Sequence, residues 1–124
     1  MIEAWLEANQ GSWLRRAPGV AACLAAVGSV HWPVVVDIDD EFGGLSVYLG
    51  ERELWVGLDS ALEMPSFRRV LDGRPHVLIG AFTPNGWYVD EAGSLLEVDA
   101  IGQVLARAKS VREALEGLAL QLTE

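Results

Sequence analysis

The chain is short of thiols, imidazoles and amines. Its 124 residues include one cysteine (Cys23), two histidines (His31 and His76) and one lysine (Lys109). A lone cysteine cannot close an internal disulfide, and it leaves the redox compartment unspecified. Cys23 lies in the apolar run 20–27, where it reads as a small buried hydrophobe rather than a nucleophile. A zinc site would need further ligands at metal-binding spacing, and no His-x-x-Glu-His pattern occurs. There is no Gly-x-Ser-x-Gly elbow and no Gly-rich phosphate loop with its lysine. The scarcity of lysine argues further against Schiff-base and phosphoryl-transfer chemistry. No stretch approaches the roughly 20 apolar residues of a membrane span. The first seven residues are acidic and amphipathic, without the basic segment that opens a signal peptide. These absences lead to the expectation of a soluble, cytoplasmic, non-enzymatic protein with no catalytic residues, metal or cofactor.

What is abundant is negative charge. Eighteen Asp and Glu face nine Lys and Arg, for a net charge of −9. This argues against direct binding to nucleic acid or to an anionic membrane, and it favours a basic partner. Between Asp37 and Glu63 there are eight carboxylates (Asp37, Asp39, Asp40, Glu41, Glu51, Glu53, Asp59, Glu63) against the single Arg52. A second acidic group comprises Asp90, Glu91, Glu97 and Asp99.

The densest acidic stretch runs Asp37-Ile38-Asp39-Asp40-Glu41 into Phe42-Gly43-Gly44. As a calcium loop it fails. Counted from Asp37, the glycine position is Phe42 and the closing Glu position is Tyr48; counted from Asp39, the fifth position is Gly43. As an acid–base pair it is no better, because neighbours such as Asp39 and Asp40 diverge by about 100° on a helix and point to opposite faces of a strand. Asp37 and Glu41 share a helical face and repel there, which suits a solvated or partner-binding surface.

Half of the residues are apolar, 51%, enough for one core in a domain of ordinary size. Ile2, Trp5 and Leu6 recur at helical spacing, and residues 20–27 form a second helix stopped by Gly28. Residues 33–43 are ambiguous. Val34, Val36 and Ile38 alternate as in a strand, whereas Val34, Ile38 and Phe42 recur every four residues between Pro33 and Gly43, which are helix punctuation. Residues 45–49 and 52–58 read as a hairpin turning at Gly50-Glu51. Met64 to Leu71 reads as a short helix closed by Asp72-Gly73. His76 to Phe82 is a strand, Pro84-Asn85-Gly86 a turn, and residues 87–90 and 95–99 another hairpin. A short strand is expected at Val104-Leu105. Ser110-Val111-Arg112-Glu113 is a capping box, followed by a stripe of Val111, Leu115, Leu118 and Leu122. The fold class is α+β: a mostly antiparallel sheet of hairpins, with N-terminal helices and a C-terminal helix packed on one face, in a single domain over residues 1–124.

Five tryptophans are many for this length. Core packing claims most of them. Trp55, in the acidic segment, and Trp87, after the Pro-Asn-Gly turn, are the two retained as interface anchors.

Several segments, in order, resemble one family. Phe42-Gly43-Gly44-Leu45, after a short acidic helix and before a strand, resembles the signature of the SUKH superfamily, its third subgroup in particular. Val77-Leu78-Ile79-Gly80, the hairpin Trp87-Tyr88-Val89-Asp90-Glu91-Ala92-Gly93-Ser94-Leu95 and the closing Ser110-Val111-Arg112-Glu113-Ala114-Leu115-Glu116 are similar to later family motifs. The resemblance is strongest over residues 20–120. The superfamily includes the yeast cell-wall regulators Smi and Knr and many bacterial immunity proteins. The resemblance implies that residues 33–42 are helical, that there is no catalytic residue to carry over, and that the partner is a cognate polymorphic toxin, such as a nuclease, neutralised through an acidic surface. On that reading Asp39, Asp40, Glu41, Glu51 and Glu53 are steering charges, with Trp55 and Trp87 as anchors. The alternative is a small non-enzymatic scaffold or regulatory module that binds a cellular protein. The sequence specifies no oligomeric state.

Overall fold

The computed structural model describes residues 2–123, with side chains as far as Leu120. Helix α1 (Ile2–Ala8) buries Ile2, Trp5 and Leu6, the stripe its sequence spacing predicts. A two-residue strand, β1 (Ser12–Trp13), leads to α2 (Val20–Val27) and α3 (Pro33–Phe42). Cys23 is exposed rather than buried. The inward face of α2 is formed by Ala21 and Ala25, one turn apart, and Cys23 falls on the opposite side of the helix. In α3 the punctuation overrides the β-propensity of its valines. Pro33 supplies a preset first-turn φ, and Val35, Ile38, Asp39 and Phe42 are buried at spacings of three, one and three along one helical face.

The chain then builds its sheet: β2 (Leu45–Leu49) and β3 (Arg52–Val56) form the first hairpin, and the one-turn helix α4 (Leu58–Ala61) follows. Residues Met64 to Leu71 are not a helix. Turns carry the chain to β4 (Arg68–Leu71), which pairs antiparallel with the start of β5 (Arg74–Phe82). The cause is local: Asp72 and Gly73 have φ of 54° and 73°, the two left-handed residues of a tight hairpin turn, so Asp-Gly here reverses a strand instead of ending a helix. β6 (Asn85–Val89), β7 (Leu95–Val98) and β8 (Val104–Ala108) complete the sheet. The expected strand at Val104-Leu105 extends to Ala108.

Among the described residues the sheet has eight strands, ordered β1-β2-β3-β5-β6-β7-β8, with β4 paired to β5 beside β3. Among the described residues every neighbouring pair of strands, from β1–β2 through β7–β8, is antiparallel. In the first hairpin Leu45, Val47, Leu54 and Val56 point to the core face and are almost fully buried. Ser46, Tyr48, Glu53 and Trp55 alternate to the other face, with Ser46 opposite Trp55 and Tyr48 opposite Glu53. The core joins these inward residues to Trp5, Val35, Ile38 and Phe42, and to Val111, Leu115 and Ala119 of α5 (Val111–Thr123).

Helix α5 starts as predicted, in that the Glu113 amide donates to Ser110 Oγ at 3.1 Å. The return contact differs: the Glu113 carboxylate accepts from the Lys109 amide at 3.3 Å rather than from Ser110. Leu118 is only half-buried, and Leu122, expected on the same stripe, lies outside the described side chains. Trp13 stacks on Phe42 at 6.0 Å, and Arg112 of α5 stands over the other ring, Phe42, at 5.3 Å. These contacts tie β1, at the edge of the sheet, to the helices α3 and α5.

Candidate functional site

Asp39 is where the acidic stretch meets the fold. Its carboxylate is 2% exposed. It accepts from Arg16 Nε at 3.1 Å and from the Leu58 amide at 3.0 Å, so it pins the β1–α2 connection and the first amide of α4 to α3. Arg16 reaches on to Asp59 of α4 at 2.7 Å. Burial would lower the Arg16 pKa, but hydrogen bonds to Asp59 and Asp39, with their charges, hold it above its usual value. Burial would likewise raise the Asp59 pKa. The hydrogen bond from Arg16 and the backbone amide of Ser60 outweigh it, and the carboxyl sits below its usual value. The two glycines after Phe42 make room for this clasp. A Cβ on Gly43 would lie 2.4 Å from Asp39 Oδ1 and 2.7 Å from Arg16 Nε, and one on Gly44, at φ +88°, would lie 2.0 Å from the Leu14 carbonyl oxygen. The Phe-Gly-Gly turn is therefore a close-packing device, and Asp39 is a structural anchor with no surface left for a partner.

The remaining residues singled out from the sequence separate onto different surfaces. Asp40 and Glu41 are exposed on α3, and Glu41 pairs with Arg112 of α5, on the helix-covered side of the sheet. Glu51 is exposed in the β2–β3 turn. Glu53 and Trp55 are half-buried on the opposite, open face. The Glu53 carboxylate accepts from Ser46 Oγ at 3.3 Å, and its amide donates to Thr83 Oγ1 at 2.8 Å. Trp87 is not an anchor for a partner. It is 2% exposed, and its Nε1 donates to Glu97 at 3.0 Å beside Asn85, which donates to the same carboxylate at 3.1 Å. Alternation in β6 sends Trp87 to the core face opposite Gly80 and Glu97. The Asp90 of the second acidic group is also internal: its Oδ1 accepts the amides of Ala92 and Ser94, both at 3.0 Å, and shapes the β6–β7 turn.

The open face carries a cleft of about 410 Å³, whose walls include Arg16, Ser46, Glu53, Trp55, Asp59, Glu63 and Met64. A smaller groove of about 210 Å³ continues past Trp55 and Met64 over Ala81, Gly86 and Tyr88. At its far end Tyr88 Oη donates to the Ser66 carbonyl at 2.7 Å, and Arg69 stands over the Tyr88 ring at 5.7 Å. Exposed apolar groups border this face: Tyr48 at 64% and Met64 at 42%. Asp59, Glu63 and Met64 line the site and Tyr48 stands beside it, opposite Glu53; none of the four is among the site residues expected from the sequence, where Asp59 and Glu63 count only as members of the acidic segment. For Tyr48 a signal was present, because the Gly50-Glu51 turn fixes the register that sets it opposite Glu53. Asp59, Glu63 and Met64 join only through the turn that folds α4 toward Trp55.

The two histidines do not meet. His31 is exposed, whereas His76 is buried, with its Nδ1 2.9 Å from the Arg74 carbonyl oxygen, which makes Nδ1 the protonated nitrogen. Among the described residues no group of three or more His, Cys, Asp or Glu is placed to hold a metal ion, and no helix is long and apolar enough to cross a membrane. No protein-family model, curated protein or solved structure matches the chain.

Proposed function

We propose that this chain is a non-enzymatic, cytoplasmic immunity protein of SUKH type that binds a basic toxin domain, such as a nuclease, and neutralises it through the open face of its sheet. The observation that carries this reading is Trp55, half-exposed in a cleft walled by Glu53, Asp59 and Glu63. An aromatic anchor among carboxylates that outnumber the single arginine, Arg16, is the make-up of a protein-binding centre with electrostatic steering. The groove of a nuclease that holds nucleic acid is basic, so carboxylates can occupy it in place of phosphates. The order of the Phe-Gly-Gly, Asp-Glu-x-Gly and Ser-x-x-Glu motifs supports the family.

The steering residues on this reading are Glu51, Glu53, Asp59 and Glu63, with Trp55 as anchor and Tyr48 and Met64 at the rim. The test is co-expression with, and stopped-flow association to, the toxin-like domain encoded by the neighbouring gene. The chain protects the host cell, and the combined Glu51→Gln, Glu53→Gln and Glu63→Gln variant associates about tenfold more slowly at low salt. Absence of both protection and a complex would leave the immunity reading without support.

A further inference from the structure

We infer that the cleft beside Trp55 is a specificity pocket for one arginine side chain of the protein partner, an inference that builds on the interaction just proposed. Three observations lead to it. The first is charge. Glu53, Asp59 and Glu63 line the cleft against one cation, Arg16, and that guanidinium is already divided between Asp39 and Asp59. The Glu63 carboxylate has no ion-pair or hydrogen-bond partner among the described residues.

The second is shape. The cleft has room for a long side chain, and the half-exposed Trp55 contributes aromatic surface to its lining together with the exposed Met64. A guanidinium is planar, weakly hydrated and presents its donors as a fork, so it can lie on an indole while bonding carboxylates at its edge. A lysine ammonium is a compact, strongly hydrated point charge, and it exploits the carboxylates alone.

The third is that the chain builds this combination within itself. Arg15 lies 3.7 Å above the Trp13 ring and 2.9 Å from Glu3. Arg112 stands over Phe42 while pairing with Glu41. Trp55, Glu53 and Glu63 bring the same residue types to one cleft. The partner therefore presents an arginine to the open sheet face, and the pocket discriminates it from lysine.

The test uses the whole chain labelled with nitrogen-15 and two small probes, the Nα-acetyl methylamides of arginine and of lysine. The Trp55 indole signal is assigned by its loss in Trp55→Phe. The arginine probe shifts that signal saturably and binds about two- to fivefold more tightly than the lysine probe. Glu63→Gln, at an exposed position, weakens the arginine probe by about two- to fivefold at low salt. Equal binding of the two probes, shifts as large around Asp40 as around Glu63, or no shift at Trp55 would each overturn the pocket. These results are separable from those for the immunity reading. A chain that selects arginine but binds no toxin domain keeps the pocket and loses the immunity function; a protective complex indifferent to both the arginine probe and Glu63→Gln does the reverse.

Discussion

At Asp39 a carboxylate holds an arginine and the first amide of a helix, while at Asp40 its neighbour faces water. Removing the first leaves the largely buried Arg16 short of a counter-charge and the Leu58 amide without its acceptor. Asp39→Ala is expected to cost about 3–5 kcal/mol, read as a lower urea midpoint, whereas Asp40→Ser should stay within about 0.5 kcal/mol of the parent. Asp59 gives a pH dependence. Its folded pKa is lowered from 3.8, so the stability it contributes is present above the unfolded value and is lost as pH falls through the folded one. Asp59→Asn should therefore be less stable than the parent at neutral pH, with the gap closing below about pH 4. Its amplitude is small because the side chain is more than half exposed. Thermal melts of the two proteins across the acid range check this. Asp39 also shows what was legible. It lies on the inward stripe of Val35, Ile38 and Phe42, so helical periodicity alone could have excluded it as a steering charge. What hid this was the acidic run around it, in which one buried carboxylate looks like its solvated neighbours.

Elements with two independent signals were legible. Helix α5 has a cap and a stripe, and the β2–β3 hairpin has alternation and a Gly-containing turn. Ser110→Ala should cost about 1 kcal/mol, read by denaturant unfolding, since it removes the acceptor of the Glu113 amide. Elements with one signal of two meanings were not. Met64 to Leu71 has an apolar pattern that fits a helix, and Asp72-Gly73 can end a helix or turn a hairpin; the nine-residue β5 beside it decides for the hairpin. At Gly73 a Cβ would meet nothing within 4 Å, so the cost of Gly73→Ala is one of backbone conformation, about 1 kcal/mol. Trp87 and Tyr88 are adjacent in a strand, so one must face each way, and the sequence does not say which side carries the helices. The same alternation placed Glu53 and Trp55 together on one face, and there it was enough.

The net charge of −9 is a property of the whole molecule, but its distribution is what matters for recognition. The α3 carboxylates lie on the helix-covered side, where Glu41 meets Arg112, and those around Trp55 lie on the open face. One binding event cannot use both equally. If the partner is the toxin domain proposed above, substituting Asp37, Asp40 and Glu41 by their amides is expected to change its association by less than about twofold, against about tenfold for Glu51, Glu53 and Glu63, with the difference shrinking as salt rises. Stopped-flow rates at two ionic strengths distinguish the sets. Asp39 must be left intact in any such series, because its loss would destabilise the fold as well as remove a charge.

The exposed thiol of Cys23 has a practical consequence. As the chain's sole cysteine, on the outer side of α2, it lets a maleimide dye be attached at one defined point of the unmutated protein. Energy transfer from indole to dye would then follow the complex as it forms, with no engineered handle on the sheet.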